Sequence, residues 1–196
     1  MSSNTLGGIQ LGGSNDNWII RNVMSNNTGY GVEIVDFSND NVIRQNDIIG
    51  DTGGISLDES SGNSLYHNNF VDNVYQVAGV DFWLQENTWD NGREEGNYWS
   101  DYAGKDLKGD GIGDTGIPHL GVDYYPLMIP YILGDVNHDG TVNIIDVAIV
   151  AWSFNSYPGH SRWNLHADLN GDSSINILDI AMVASNFEKK WESFQN

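Results

Sequence analysis

The sequence has no cysteine among its 196 residues, which excludes a disulfide, a thiolate metal site and c-type haem attachment. Basic residues are scarce: 8 Lys and Arg stand against 27 Asp and Glu, for a formal net charge of −19. That balance opposes nucleic acid and anionic membranes and favours cations, calcium above all. No run approaches the roughly 18 consecutive apolar residues that span a bilayer, so membrane insertion is not expected. Met1-Ser2-Ser3 lacks the basic and apolar regions of a signal peptide. Because the chain begins inside a repeating pattern, any targeting signal is expected upstream.

Glycine and asparagine are plentiful instead, and they mark a repeat. Stretches beginning at Gly8, Gly31 and Gly54 share glycine, alternating apolar residues, serine, asparagine, more apolar residues and a second asparagine. Ile9, Val32 and Ile55 lie 23 apart, while Asn17, Asn41 and Asn63, like Asn22, Asn46 and Asn68, follow at intervals of 24 and 22. A period of that length, built from very short strands, predicts a solenoid of stacked coils with aliphatic residues inward and asparagine ladders at the corners. Multiple leucines per copy and a helical return segment, the marks of a leucine-rich repeat, are missing. The reading is therefore a parallel β-helix of about three coils, near the minimum for stability, closed by a cap. Phe82, Trp83, Trp89, Tyr98, Trp99, Tyr102, Tyr124 and Tyr125 are the residues expected to build it.

A second repeat is shorter and gapless. GDVNHDGTVNIIDVAIVAWSF and ADLNGDSSINILDIAMVASNF align at a spacing of 33. Calcium loops of the EF-hand kind draw on positions 1, 3, 5, 7, 9 and 12 of a 12-residue stretch, position 7 through its backbone carbonyl and position 9 often through water. Those positions hold Asp135, Asn137, Asp139, Thr141, Asn143 and Asp146 in the first copy, and Asp168, Asn170, Asp172, Ser174, Asn176 and Asp179 in the second. Hard oxygen donors with three carboxylates per loop suit Ca2+, whereas soft metals prefer sulfur or imidazole. Gly140 occupies position 6 of the first loop; the second has Ser173 there and Gly171 at position 4, which marks it as the weaker loop. Each loop leads into an apolar run that reads as a short helix, from Val147 and from Ile180. No entering helix precedes Asp135.

Two resemblances follow. NTWDNGREEGNYWSDYAGKDLKGDGIGDTG with the later DYYPLM looks like the terminal portion of NosD-like β-helix proteins, over roughly residues 3–129. A duplicated calcium loop with an exiting helix resembles the dockerin module, over about residues 131–190. Together they imply a mainly β chain: a right-handed parallel β-helix over 1–130, then a small all-α dockerin domain over 131–196. The dockerin likeness implies two Ca2+ ions, folding on calcium binding, a cohesin-bearing partner, and an extracellular or cell-surface location. It also implies that positions 10 and 11 of each loop, Ile144 and Ile145 with Ile177 and Leu178, meet the partner. Many dockerins carry hydroxyl residues there. The bland alternative makes one aliphatic of each pair a core residue, because Val142 and Ile175 already point inward from the loops. The match between the copies suggests that a partner can engage either one. Trp191 and Phe194 are candidates to pack back on Tyr131 and Ile132.

Three further features bear on function. Asp106, Asp110 and Asp114 resemble a third calcium loop with Lys108 at an expected ligand position. On the β-helix, Glu33, Asp36, Asp58 and Glu59 are the acids that a polysaccharide-cleaving enzyme would use, but Glu33 aligns beside Gln10 and Ser56 and no stacked acid pair emerges. A noncatalytic binder is the favoured reading, with a polysaccharide-binding or polysaccharide-degrading β-helix as the alternative. For copper, the histidines His67, His119, His138, His160 and His166 are scattered and read as surface residues, and Met24, Met128 and Met182 form no cluster.

Overall fold

The computed structural model describes residues 1–79 and 86–191. Phe82, Trp83 and Phe194 lie outside the described residues. The chain divides into two compact units, Met1–Met128 and Ile129–Asn196.

The first unit is a β-solenoid of about three turns. Each coil supplies three strands: β1 (Ile9–Gly12), β2 (Trp18–Ile20) and β3 (Val23–Ser25); β4 (Tyr30–Val35), β5 (Val42–Arg44) and β6 (Asp47–Ile49); β7 (Gly53–Leu57), β8 (Ser64–Tyr66) and β9 (Asn69–Val71). Equivalent strands pair in parallel into three sheets, ordered β1-β4-β7, β2-β5-β8 and β3-β6-β9. The pattern continues past the third coil, since β10 (Tyr75–Ala78) extends the first sheet and β11 (Tyr98–Trp99) the last. Alternation sends one residue in two inward, and Val32, Ile34, Ile43, Ile48, Ile55, Leu57, Leu65 and Phe70 are fully buried.

The corners are held by the asparagine ladders that the repeat predicts. Asn41 Oδ1 accepts from the backbone N–H and side-chain amide of Asn17, and Asn63 Oδ1 accepts the same pair from Asn41. Asn46 and Asn68 do so along the second corner. Both ladders run into the closing segment, one to Asn87 and the other to Asn97. A third ladder, unanticipated in the sequence, passes from Asn4 through Asn27 and Asp51 to Asn73.

The closing segment is thus partly a continued coil. Trp99 stacks on Phe70, their ring centres 4.3 Å apart at 8°, and Trp89 lies 5.9 Å from Trp99. Trp99 Nε1 donates to Asp123 Oδ2 at 2.8 Å, and Asp123 also accepts the N–H groups of Asn97 and Tyr125. Trp89 and Trp99 are core residues, Tyr102 packs against the core from its margin, and Tyr124 is exposed. The aromatics expected to cap the solenoid therefore divide, and only some of those described close it.

In the second unit, helices α1 (Ile144–Trp152) and α2 (Ile177–Ser185) follow the two loops. Each begins in a capping box, Asn143 with Asp146 and Asn176 with Asp179, which fixes the helix start at the loop end. The copies exchange backbone bonds reciprocally. Asn155 N–H donates to Ile175 O and Ile175 N–H to Ser156 O, just as Glu188 N–H donates to Val142 O and Val142 N–H to Lys189 O. The core is small: Ile132, Val136, Val142, Val150, Ala167, Ile175 and Val183, with Trp191 packed against its edge.

Candidate metal centre

The two loops repeat one hydrogen-bond scheme. In the first, Asp135 accepts the N–H groups of Asp139 and Gly140, Asp139 accepts that of Thr141, and Asp146 accepts those of Val136, Asn137 and Asn143. In the second, Asp168 accepts from Ser173, Asp172 from Ser174, and Asp179 from Leu169, Asn170 and Asn176. The side-chain amides of Asn137 and Asn170 donate to Asp139 and Asp172, both at 2.8 Å. Backbone donors thereby turn the carboxylates of positions 1, 5 and 12 around each loop before any ion is considered.

The position 9 residues are engaged differently. Asn143 and Asn176 accept the N–H of Ile145 and Leu178 on Oδ1 as helix caps, and their amides donate to the carbonyls of Thr141 and Ser174. Their oxygens serve the helix, in keeping with a position that reaches calcium through water.

The second loop takes the same left-handed positions as the first, although it has Ser173 where the first has Gly140. Positions 4 and 6 take positive φ in both loops: His138 at 53° and Gly140 at 85°, then Gly171 at 77° and Ser173 at 65°. Each loop spends one glycine and one side-chain-bearing residue on the two left-handed positions, in opposite order.

Burial concentrates the charge. Asp146 and Asp179 are fully buried, and Asp135 is 5% exposed. Burial lifts the Asp135 carboxyl above the ordinary carboxylate range, the N–H groups of Gly140 and Asp139 and the charge of His138 draw it down, and Asp146 pushes it up again. Among the described residues no Lys or Arg forms an ion pair with Asp135, Asp146 or Asp179. Buried carboxylates joined to no Lys or Arg, with oxygen-bearing neighbours at the alternate loop positions, fit a hard divalent cation.

The third acidic loop carries the same backbone scheme. Asp106 accepts from Asp110 and Gly111, and Asp110 from Ile112, as positions 1 and 5 do in the other loops. Gly109 and Gly111 take φ of 77° and 84°. Asp114 accepts from Leu107 and Lys108, the task of Asp146 and Asp179, although it stands three places earlier in its loop. Lys108 Nζ lies 2.5 Å from Asp114 Oδ1, so this loop brings a cation of its own.

The expected partner residues are all exposed: Ile144 67%, Ile145 52%, Ile177 64% and Leu178 56%, which rules out the core alternative. Val142 and Ile175 are the inward residues, at 0%. A groove of about 650 Å3 continues from Ile145 along α1, past Ala148, Ile149 and the exposed Trp152 to Arg162 and Leu165. Arg162 donates to the carbonyls of Trp152 and Phe154 at the helix end.

On the solenoid, Glu33 pairs in register with Gln10 and Ser56, and Gln10 Nε2 donates to it at 2.8 Å. One histidine reading needs correction: His67 is 8% exposed and Nε2 lies 2.9 Å from Glu95, because its corner is covered by the closing segment. Nor are all five isolated, since the rings of His138 and His166 lie 5.1 Å apart.

Comparison with known proteins gives two family matches. The model of the family described as "Periplasmic copper-binding protein (NosD)" covers residues 1–104, and that of the type I dockerin domain covers residues 133–188. Neither family is catalytic. No curated protein and no solved structure matches the chain significantly. More than half of the chain being matched by the first model, it belongs to the NosD family, as a β-solenoid followed by a type I dockerin domain.

Proposed function

We propose that the chain is a noncatalytic attachment protein whose dockerin domain folds around two Ca2+ ions, docks on a cohesin domain, and tethers the β-solenoid in an extracellular or cell-surface assembly. The observation that carries this reading is the pairing of two equivalent loops with two equivalent exposed aliphatic pairs. Asp135, Asn137, Asp139, the Thr141 carbonyl and Asp146 would hold one ion, with Asn143 acting through water. Asp168, Asn170, Asp172, the Ser174 carbonyl and Asp179 would hold the other, with Asn176 in the equivalent role. Calcium supplies the charge that buried carboxylates otherwise lack. A ligand bound only by the folded form adds about 2.7 kcal/mol per site at 100 times its dissociation constant, a large share of what so small a core can give. Copper finds less support, with His67 and His119 each held by a carboxylate and no cysteine in the chain.

Ile144 and Ile145 on α1, and Ile177 and Leu178 on α2, supply the apolar centre of an interface whose rim is polar. Trp152 and the groove belong to α1 alone, because Ser185 stands at the matching place on α2. We therefore expect the α1 side to dominate. The test is interferometry of the full chain against a panel of type I cohesin domains, with calcium and with EDTA. Calcium-dependent capture, weakened about tenfold or more by Ile144→Asp with Ile145→Asp and less by Ile177→Asp with Leu178→Asp, is expected. Failure of every cohesin to bind in calcium would overturn the docking reading.

A further inference from the structure

The sheet of β2, β5 and β8 turns two rows of side chains outward: Trp18, Val42 and Ser64, then Ile20, Arg44 and Tyr66. Between them Ile19, Ile43 and Leu65 face the core. Arg44 stands between two rings, its guanidinium carbon 5.6 Å from the centre of Trp18 and 6.0 Å from that of Tyr66. Its Nε is buried without a hydrogen-bond partner, and among the described residues the side chain joins no carboxylate. The rings attract the cation through its charge and leave its donors unspent.

The surroundings describe a ligand. Arg21 and Arg44 are the only basic residues before Arg93, and Arg21 follows β2 directly, its Nε held by Gln45 Oε1 at 3.0 Å. Arg21 thus stands one position beyond Ile20, the residue in register with Arg44. Trp18 is 66% exposed, a flat apolar surface for the C–H face of a sugar ring. Further along its row lie the hydroxyls of Ser64 and Thr88, which are hydrogen-bonded to each other at 3.0 Å. A guanidinium fork matches a carboxylate with two parallel bonds.

We propose that this face binds an acidic saccharide, a short run of uronate residues, with the Arg44 fork taking a carboxylate and Trp18 stacking on a pyranose. The exposed flat ring of Trp18 favours a sugar over an acidic peptide. The test is calorimetry of the full chain with oligogalacturonate, with a neutral cello-oligosaccharide of equal length, and with poly-L-glutamate. The oligogalacturonate should bind, more weakly as salt rises, and the neutral sugar should not. Arg44→Gln and Trp18→Ala should each weaken binding about tenfold or more. Trp18 is exposed enough for its alanine variant to keep the fold, so that variant decides the matter if Arg44→Gln unfolds. Absence of binding, equal binding of the neutral sugar, preference for poly-L-glutamate, or indifference to Trp18→Ala would overturn the proposal.

Discussion

In the third ladder Asp51 takes the place that Asn27 and Asn73 hold on either side, and it is 1% exposed. Its Oδ1 accepts the N–H and amide of Asn27, while its Oδ2 is buried with no partner. Burial raises its pKa above the ordinary 3.8, although the bonds from Asn27 pull the other way. The folded state therefore holds this proton more tightly than the unfolded chain. Stability from this group is greatest at low pH, falls as pH rises from 3.8 through the raised value, and is flat above it. Asp51→Asn should remove that slope and stabilise the solenoid at neutral pH by about 1–2 kcal/mol, the cost of one poorly satisfied buried group. Thermal melts of both proteins across the acid range would show it, and an unchanged slope would contradict it. Asn27, Asp51 and Asn73 keep the same intervals of 24 and 22 as the other two ladders, but an aspartate in the middle place breaks the run of asparagines by which a ladder is recognised. Asn41 and Asn46, framed by aliphatic runs, were legible. Arg44 was silent for a related reason: a lone arginine in a strand says nothing until the fold sets Trp18 and Tyr66 on neighbouring coils.

At the scale of the element, a ladder rung and a loop are alike in that a side chain fixes the backbone of a neighbour. Asn46 is fully buried, accepts twice from Asn22, and donates to the carbonyl of Ile19. Asn46→Ala should destabilise the solenoid by about 1–3 kcal/mol for each buried group left unpaired, read as a lower denaturant midpoint. The calcium loops were legible because alternate oxygen-bearing residues are a pattern within one short stretch. Their relative quality was not, since Ser173 and His138 show only in three dimensions that they share the left-handed positions. The third loop teaches the same point. Asp114 is too early for the usual closing position, yet it performs that task, and Lys108 stands where the other loops have Asn137 and Asn170. Wild-type protein should thus bind two calcium ions rather than three. Lys108→Asn should add a third, and a stoichiometry that stays at two in the variant would show that this loop is no calcium cage.

At the scale of the molecule, the two units draw stability from different sources. The solenoid buries stacked aliphatic rows closed by Trp89 and Trp99, whereas the dockerin domain has few fully buried side chains and buries the loop carboxylates Asp146 and Asp179. Chelation should therefore melt α1 and α2 while leaving the solenoid's melting transition in place, as two separated transitions in a calorimetric scan. The period of the coils and the gapless duplication made this division readable in the sequence. The closing segment did not reveal itself as a partial coil, because Asn97 follows Asn68 by 29 residues where the earlier rungs of its ladder are 24 and 22 apart.

The central claim is that calcium folds the docking module, and calcium titration of the full chain by calorimetry with parallel circular dichroism tests it most directly. The account predicts two ions bound, a helical signal that grows with occupancy, and full reversal by EDTA. No calcium uptake, or uptake without any gain of helix, would contradict it.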